Sequence, residues 1–115
     1  MRNLKEKRTL AEEEKSLLLR CKEAIRSVDP SADVILYGSR ARGDAEIDSD
    51  YDLLILIDEE ATLEKEEDIC STLYPIELET GMVLTAMVYN RKVWNTPLYR
   101  AMPYRRNVEK EGILL

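Results

Sequence analysis

The chain has 115 residues, of which 44% are hydrophobic and 35% charged, and its formal net charge is −6. This composition predicts a single globular domain, residues 1–115, whose acidic surface disfavours nonspecific binding to nucleic acid. Because the sequence has no histidine, catalytic units such as Ser-His-Asp and Cys-His are excluded, and any chemistry must use carboxylates.

The N-terminus and the cysteines bear on location and redox chemistry. The N-terminus is charged, and no run approaches the roughly 18 apolar residues of a membrane span, so we expect a cytoplasmic protein without a signal peptide. Cys21 and Cys70 lack CxxC spacing and lie in separate apolar patterns. They are predicted to be buried free thiols, not a metal site or a disulfide.

The order of predicted elements indicates the fold class. A capping box of Thr9 and Glu12 begins a predicted amphipathic helix that ends at Val28, before Asp29 and Pro30. The remaining patterns predict strands at 34–37, 51–57 and 82–89 and helices at 62–74 and 104–111. A helix between two strands predicts a crossover, and hence an α+β (α/β) fold with a small mixed sheet and flanking helices.

Gly38 and Ser39 directly follow the first predicted strand. Glycine permits a tight turn, and free N–H groups at a helix start attract phosphate oxygens, aided by the serine hydroxyl. The pair is therefore a candidate phosphate-binding turn. The alternative is that Ser39 only caps a short helix.

Asp50 and Asp52 stand at the start of the second predicted strand. Alternate residues of a strand point the same way, so two neighbouring carboxylates are expected there, and such oxygen-rich pairs suit Mg²⁺. Asp48 falls before the strand and is not expected to be a ligand. The alternative is an ordinary acidic turn. If the two strands pair, the phosphate-binding turn would lie near the metal-binding pair, as phosphoryl or nucleotidyl transfer requires.

The segment "GSRARGDAEIDSDYDLLI", residues 38–55, resembles the signature of the minimal nucleotidyltransferases of the DNA polymerase beta superfamily. The resemblance implies a polymerase-beta-like palm in which Gly38 and Ser39 hold ATP or another nucleoside triphosphate and Asp50 and Asp52 bind Mg²⁺. It implies transfer of a nucleoside monophosphate to an acceptor hydroxyl. Arg40 and Arg42 are candidates for neutralising phosphate charge; the alternative is a solvated arginine or a partner of Asp44 and Glu46.

The sequence departs from this signature at the third carboxylate that active members carry on a later strand. By register the corresponding position is Thr85, a neutral hydroxyl. Glu77 and Glu79 are near in sequence, but they are more simply explained as surface acids. An active enzyme and a catalytically silent binding module that masks its partner therefore both remain open.

Similar proteins pair with a small helical HEPN-type protein and act as its antitoxin, which suggests such a partner here. The tail contains aromatic and arginine side chains of the kind enriched at interfaces: Trp94, Tyr99, Tyr104, Arg100, Arg105 and Arg106. The alternative is that the aromatic residues close the core. A drug-modifying transferase is a weaker alternative, because one small domain leaves little room for an acceptor pocket.

Overall fold

The computed structural model of the protein describes residues 1–3 and 10–115. Its elements are, in chain order, β1 (Arg2–Asn3), α1 (Glu12–Val28), β2 (Asp33–Tyr37), α2 (Ser39–Arg42), β3 (Tyr51–Ile57), α3 (Leu63–Thr80), β4 (Leu84–Asn90), α4 (Arg91–Trp94), α5 (Pro97–Arg100), α6 (Pro103–Glu111) and β5 (Ile113–Leu114). The predicted α+β fold is confirmed.

The strands form one mixed sheet in the order β1-β5-β2-β3-β4. β2 and β3 are antiparallel, with Tyr37 opposite Asp52, whereas β3 and β4 are parallel, with Asp52 opposite Thr85. The parallel pair follows from the helical connection α3, which returns the chain to the end of the sheet where β3 began. β3 therefore lies between the strand that precedes the Gly38 turn and the strand that carries Thr85.

One face of the sheet packs against α1 and α3. Alternate strand residues, such as Val34, Leu36, Leu53 and Ile55, belong to a core cluster that takes in apolar side chains of both helices. The buried members of this cluster on α1 and α3 are Leu18, Cys21, Ile25, Ile69, Leu73 and Ile76. Cys21 is buried as predicted, while Cys70 is only half-buried, and both thiols are free.

The other face of the sheet is covered by the C-terminal layer, which consists of α4, α5 and α6. Ile35, Leu54 and Leu56 on the sheet pack with Trp94 and Val108. Partly buried side chains surround this cluster: Tyr37, Tyr89, Tyr99, Tyr104 and Leu114. Of the two interpretations of the tail aromatics, the core role is correct for Trp94, which is 2% exposed.

Two helix boundaries differ from the sequence prediction. α3 continues through Pro75 to Thr80, beyond the predicted end at residue 74. Pro75 is exposed, so its ring does not disturb the core, and Ile76 continues the buried stripe of the helix. At the other end of the chain, α1 begins at Glu12, and the predicted capping residue Thr9 lies outside the described residues.

The tail contains more structure than its sequence pattern predicted. α6 ends before Gly112 as expected, and β5 then pairs with β2 and β1. The two-residue strands β1 and β5 are too short to show any periodicity in the sequence. Within the described ranges, no helix is both long and apolar enough to cross a membrane.

Candidate active site

The turn after β2 depends on the backbone of Gly38. Its φ is +76°, a region that favours glycine, and its carbonyl accepts the N–H groups of Ala41 and Arg42 at 3.1 and 3.0 Å. These bonds start α2 directly at Ser39. The first N–H groups of a helix have no carbonyl partner within it, so the turn presents backbone donors together with the Ser39 hydroxyl.

Asp52 lies directly beside this turn. Its strand partner is Tyr37, the residue before Gly38. A Cβ atom placed on Gly38 would be 2.5 Å from Asp52 Oδ2, so only glycine permits this close approach. The structure therefore brings the predicted phosphate-binding turn and one of the two predicted metal ligands into contact.

Asp52 also contacts the strand on its other side. The Thr85 hydroxyl donates a 2.7 Å hydrogen bond to Asp52 Oδ1. The register confirms that Thr85 is opposite Asp52, at the position where the family signature implies a third carboxylate. No charged ligand is present at this position, and the threonine instead binds the existing aspartate.

Asp50 lies immediately before β3 and is exposed. Strand pairing begins at the next residue, where the Tyr51 N–H donates to the Val83 carbonyl at 2.9 Å. Two carboxylates separated by one residue, one exposed and one half-buried, fit the preference of Mg²⁺ for one or two carboxylates together with phosphate and water oxygens. Among the described residues, no group of three or more acids or cysteines could hold a metal ion.

Arg40 is engaged within the protein. Its guanidinium donates to the Ser49 carbonyl from Nε and Nη2, at 3.2 and 3.0 Å, and to the Ile47 carbonyl at 3.0 Å. It also lies 4.4 Å from the centroid of the Tyr51 ring and 3.6 Å from a Glu14 carboxylate oxygen. These contacts attach the loop that carries Asp50 to α1 and α2.

Glu14 and Tyr51, which both contact Arg40, also contact each other. The Tyr51 hydroxyl donates to Glu14 at 3.0 Å. Burial, with this bond to a carboxylate as the next cause, raises the pKa of Tyr51 to about 12. Neither residue was recognised from sequence, because Glu14 is one of three consecutive glutamates and only the tertiary contact distinguishes it.

Arg42 is more exposed and pairs with acids. It contacts Asp44 at 3.2 Å and Glu111 at 3.3 Å. Its bonds to Asp44 and then to Glu111 raise the pKa of the guanidinium. The alternative interpretation, in which Arg42 is a partner of Asp44, agrees with this geometry.

Glu77 and Glu79, which lie near Thr85 in the sequence, both have partners within the protein. Glu77 accepts the Leu84 N–H at 3.0 Å, at the start of β4, and Glu79 pairs with Arg20 on α1. Each carboxylate thus has a structural role between α3 and its neighbours. The surface-acid interpretation is the better one for Glu79, and Glu77 orders the connection to β4.

The C-terminal layer lies on the same face of the sheet as Asp52. Tyr37 and Tyr104 contact edge to face, with ring centroids 5.7 Å apart. Burial raises the pKa of Tyr104, and the charge of Asp52 adds to this shift. The edge-to-face pair of Tyr37 and Tyr104 therefore includes the strand partner of Asp52.

The candidate site combines a glycine turn, a serine at a helix start, Asp52 on the adjoining strand and Asp50 immediately before that strand, features that resemble those of a nucleotidyltransferase. The comparison with known families agrees: the chain belongs to the nucleotidyltransferase domain family, whose model matches residues 18–113. The match begins within α1 and ends at β5, so it includes the Gly38 turn, Asp50, Asp52 and Thr85.

Two curated relatives come from Methanocaldococcus jannaschii. "Putative protein adenylyltransferase MJ0141" is 35% identical over 60 residues, which cover 52% of this chain and 61% of the relative. "Putative protein adenylyltransferase MJ0604" is 35% identical over 82 residues, which cover 71% of this chain and 75% of the relative. The alignment thus spans less than two thirds of the first relative and three quarters of the second.

Proposed function

We propose that the protein is a Mg²⁺-dependent nucleotidyltransferase that transfers AMP from ATP to a hydroxyl group of a partner protein. The observation that carries this proposal is the contact between the Gly38 turn and Asp52. Family membership and the names of the two relatives support the reaction class. Another nucleoside triphosphate is the alternative donor, and a cytoplasmic location stays a prediction.

In the proposed reaction the acceptor oxygen attacks the α-phosphorus and the bond to the β-phosphate oxygen breaks. Pyrophosphate leaves, and the hydroxyl proton passes to water. Ser39 and the first N–H groups of α2 would bind phosphate oxygens. Asp50 and Asp52 would hold Mg²⁺, which supplies neutralisation of phosphate charge when bound. Such transfer depends on positioning and charge more than on a strong base.

The structure supports different roles for Arg40 and Arg42 in this proposal. Arg40 holds the loop from Ile47 to Ser49 through its carbonyl contacts, so its contribution to nucleotide binding is to position Asp50. Arg42 is 43% exposed and can exchange Asp44 for a phosphate at little cost, because exposed ion pairs are weak.

The proposed biological role is that of an antitoxin that modifies a small helical HEPN-type toxin. This part rests on the family resemblance of residues 38–55. The second candidate function is a catalytically silent module that masks the same partner. Thr85, in the place of a third carboxylate, favours it, whereas the retained Gly38 and the aspartate pair favour the enzyme.

A transfer assay separates the two functions. The purified protein is incubated with Mg²⁺, each α-labelled nucleoside triphosphate and purified HEPN-type proteins, and nucleotide binding is measured by calorimetry. We expect label from ATP on the partner, reduced at least about 100-fold in Asp50→Asn and Asp52→Asn.

Asp48→Asn is the matched control, since Asp48 is an exposed acid of the same loop, and it should retain transfer. Nucleotide binding without transfer to any partner would support the silent module. Absence of nucleotide binding would overturn the enzyme proposal.

A further inference from the structure

The hydrogen bond between Thr85 and Asp52 links two parallel strands through their side chains. Thr85 Oγ1 is 2.7 Å from Asp52 Oδ1 and 3.4 Å from the Tyr51 carbonyl oxygen. The threonine is half-buried, and its χ1 angle is restricted because its Cβ is branched. Its hydroxyl is thus held in the orientation that meets the carboxylate.

The two oxygens of Asp52 have different surroundings. Oδ1 accepts the Thr85 hydroxyl, whereas Oδ2 lies against the backbone of Gly38, beside the start of α2. A carboxylate held on both sides has one orientation, and groups that orient a ligand carboxylate in this way strengthen metal binding. The oxygen on the Gly38 side is the one that faces the phosphate-binding turn.

We propose that Thr85 is a positioning residue, whose hydroxyl orients Asp52 so that Oδ2 is presented to a single divalent cation. This inference rests on the proposed function for the identity of Asp50 and Asp52 as metal ligands. Thr85 acts on cation binding through Asp52.

The limit to one divalent cation follows from the number of carboxylates at the site. A second ion beside the first needs further anionic oxygens to offset the repulsion between two dications. The described residues bring no third acid to the aspartate pair, and the strand position next to Asp52 is neutral Thr85. Glu77 is already used by the Leu84 N–H.

The experiment titrates the protein with Mn²⁺ alone. Electron paramagnetic resonance measures the concentration of free Mn²⁺, so the titration gives both the affinity and the number of ions bound per chain. We expect the wild-type protein to bind one Mn²⁺ per chain. Thr85→Val should weaken binding about 10-fold, and Thr85→Ser, which keeps the hydroxyl, should restore it. Thr85→Glu should raise the stoichiometry to two.

Thr72→Val is the matched control, because the Thr72 hydroxyl donates to the Ile69 carbonyl on α3, away from the site. This variant should bind Mn²⁺ like the wild type. Thermal unfolding of each variant checks that it is folded. In the transfer assay, Thr85→Val should lower kcat while the KM for the acceptor stays unchanged.

The outcomes distinguish this inference from the proposed function. If Thr85→Val binds Mn²⁺ as tightly as the wild type, the positioning role of Thr85 is overturned. If the wild type binds two ions, the limit to one cation is overturned. The proposed function stands in both cases. If the wild type binds neither Mn²⁺ nor nucleotide, the proposed function fails and the Thr85 inference fails with it.

Discussion

Gly38 and Asp52 are in contact across the antiparallel pair β2–β3: a Cβ atom at residue 38 would lie 2.5 Å from Asp52 Oδ2. The two residues come from separate parts of the sequence, one in a turn and one within a strand. Their contact turns a short glycine-serine turn and an acidic strand end into one site.

Substitution of Gly38 should therefore damage both stability and activity. In Gly38→Ala the methyl group meets a carboxylate oxygen and the positive φ is strained, so we expect a loss of unfolding free energy of more than about 1–2 kcal/mol and displacement of Asp52. Chemical denaturation and the AMP-transfer assay measure these effects.

Gly81→Ala isolates the backbone part of this cost. Gly81 has a φ of +72° but no atom within 4 Å of an added Cβ, so only the strain of about 1–2 kcal/mol applies. Transfer activity should be retained. Equal losses of stability in the two variants would contradict the close contact at Gly38.

Arg40 should contribute far more to stability than Arg42. The Arg40 side chain is 11% exposed and bonds to two loop carbonyls; Arg40→Ala should cost about 2–3 kcal/mol, because it leaves these acceptors without a charged donor. Urea denaturation measures the loss, and hydrogen exchange should show faster opening of the loop before β3.

The comparison variant is Arg42→Ala. This side chain is 43% exposed, so its removal should change stability by no more than about 0.5 kcal/mol. If Arg42→Ala also raises the KM for ATP, Arg42 contacts the nucleotide. A larger stability loss in Arg42→Ala than in Arg40→Ala would contradict the contacts described for Arg40.

Trp94 should be essential for the C-terminal layer. It is 2% exposed and packs with Ile35, Leu54 and Leu56, so Trp94→Ala should cost about 3–5 kcal/mol. The control is Leu98→Ala, since Leu98 is 74% exposed, and it should change stability by no more than about 0.5 kcal/mol. Circular dichroism during urea unfolding follows both variants; a mild effect of Trp94→Ala would argue for a surface role of the indole.

Stability should fall at alkaline pH in part through Tyr51. Burial and the bond to Glu14 raise its pKa from 10 to about 12, so the folded protein holds this proton more tightly than the unfolded chain. The stabilisation is complete below pH 10 and is lost as the pH rises through about 12. Urea unfolding between these pH values should show a shallower decline for Tyr51→Phe than for the wild type. Tyr74→Phe, which alters a tyrosine that is 58% exposed, should follow the wild-type curve.

Local features were predictable because they depend on residues close together in the chain. The predicted strand Tyr51–Ile57, which is continuously apolar from Leu53 onward, matches β3 in the structure, and the glycine-serine turn after β2 follows from the backbone freedom of Gly38. The helix before Gly112 was also predicted, from its last residues and the glycine that follows. In the same way, the spacing of Asp50 and Asp52 placed two carboxylates at one strand end.

The sequence by itself thus determined the order of the main elements and the candidate residues for binding phosphate and a cation. Only the tertiary structure decided which of these residues meet, because strand pairing joins segments that are distant in the chain. It placed Gly38 against Asp52 and engaged the guanidinium of Arg40 with its own loop. It also buried Trp94 against the sheet, since whether an aromatic side chain is covered depends on the packing of the layer around it.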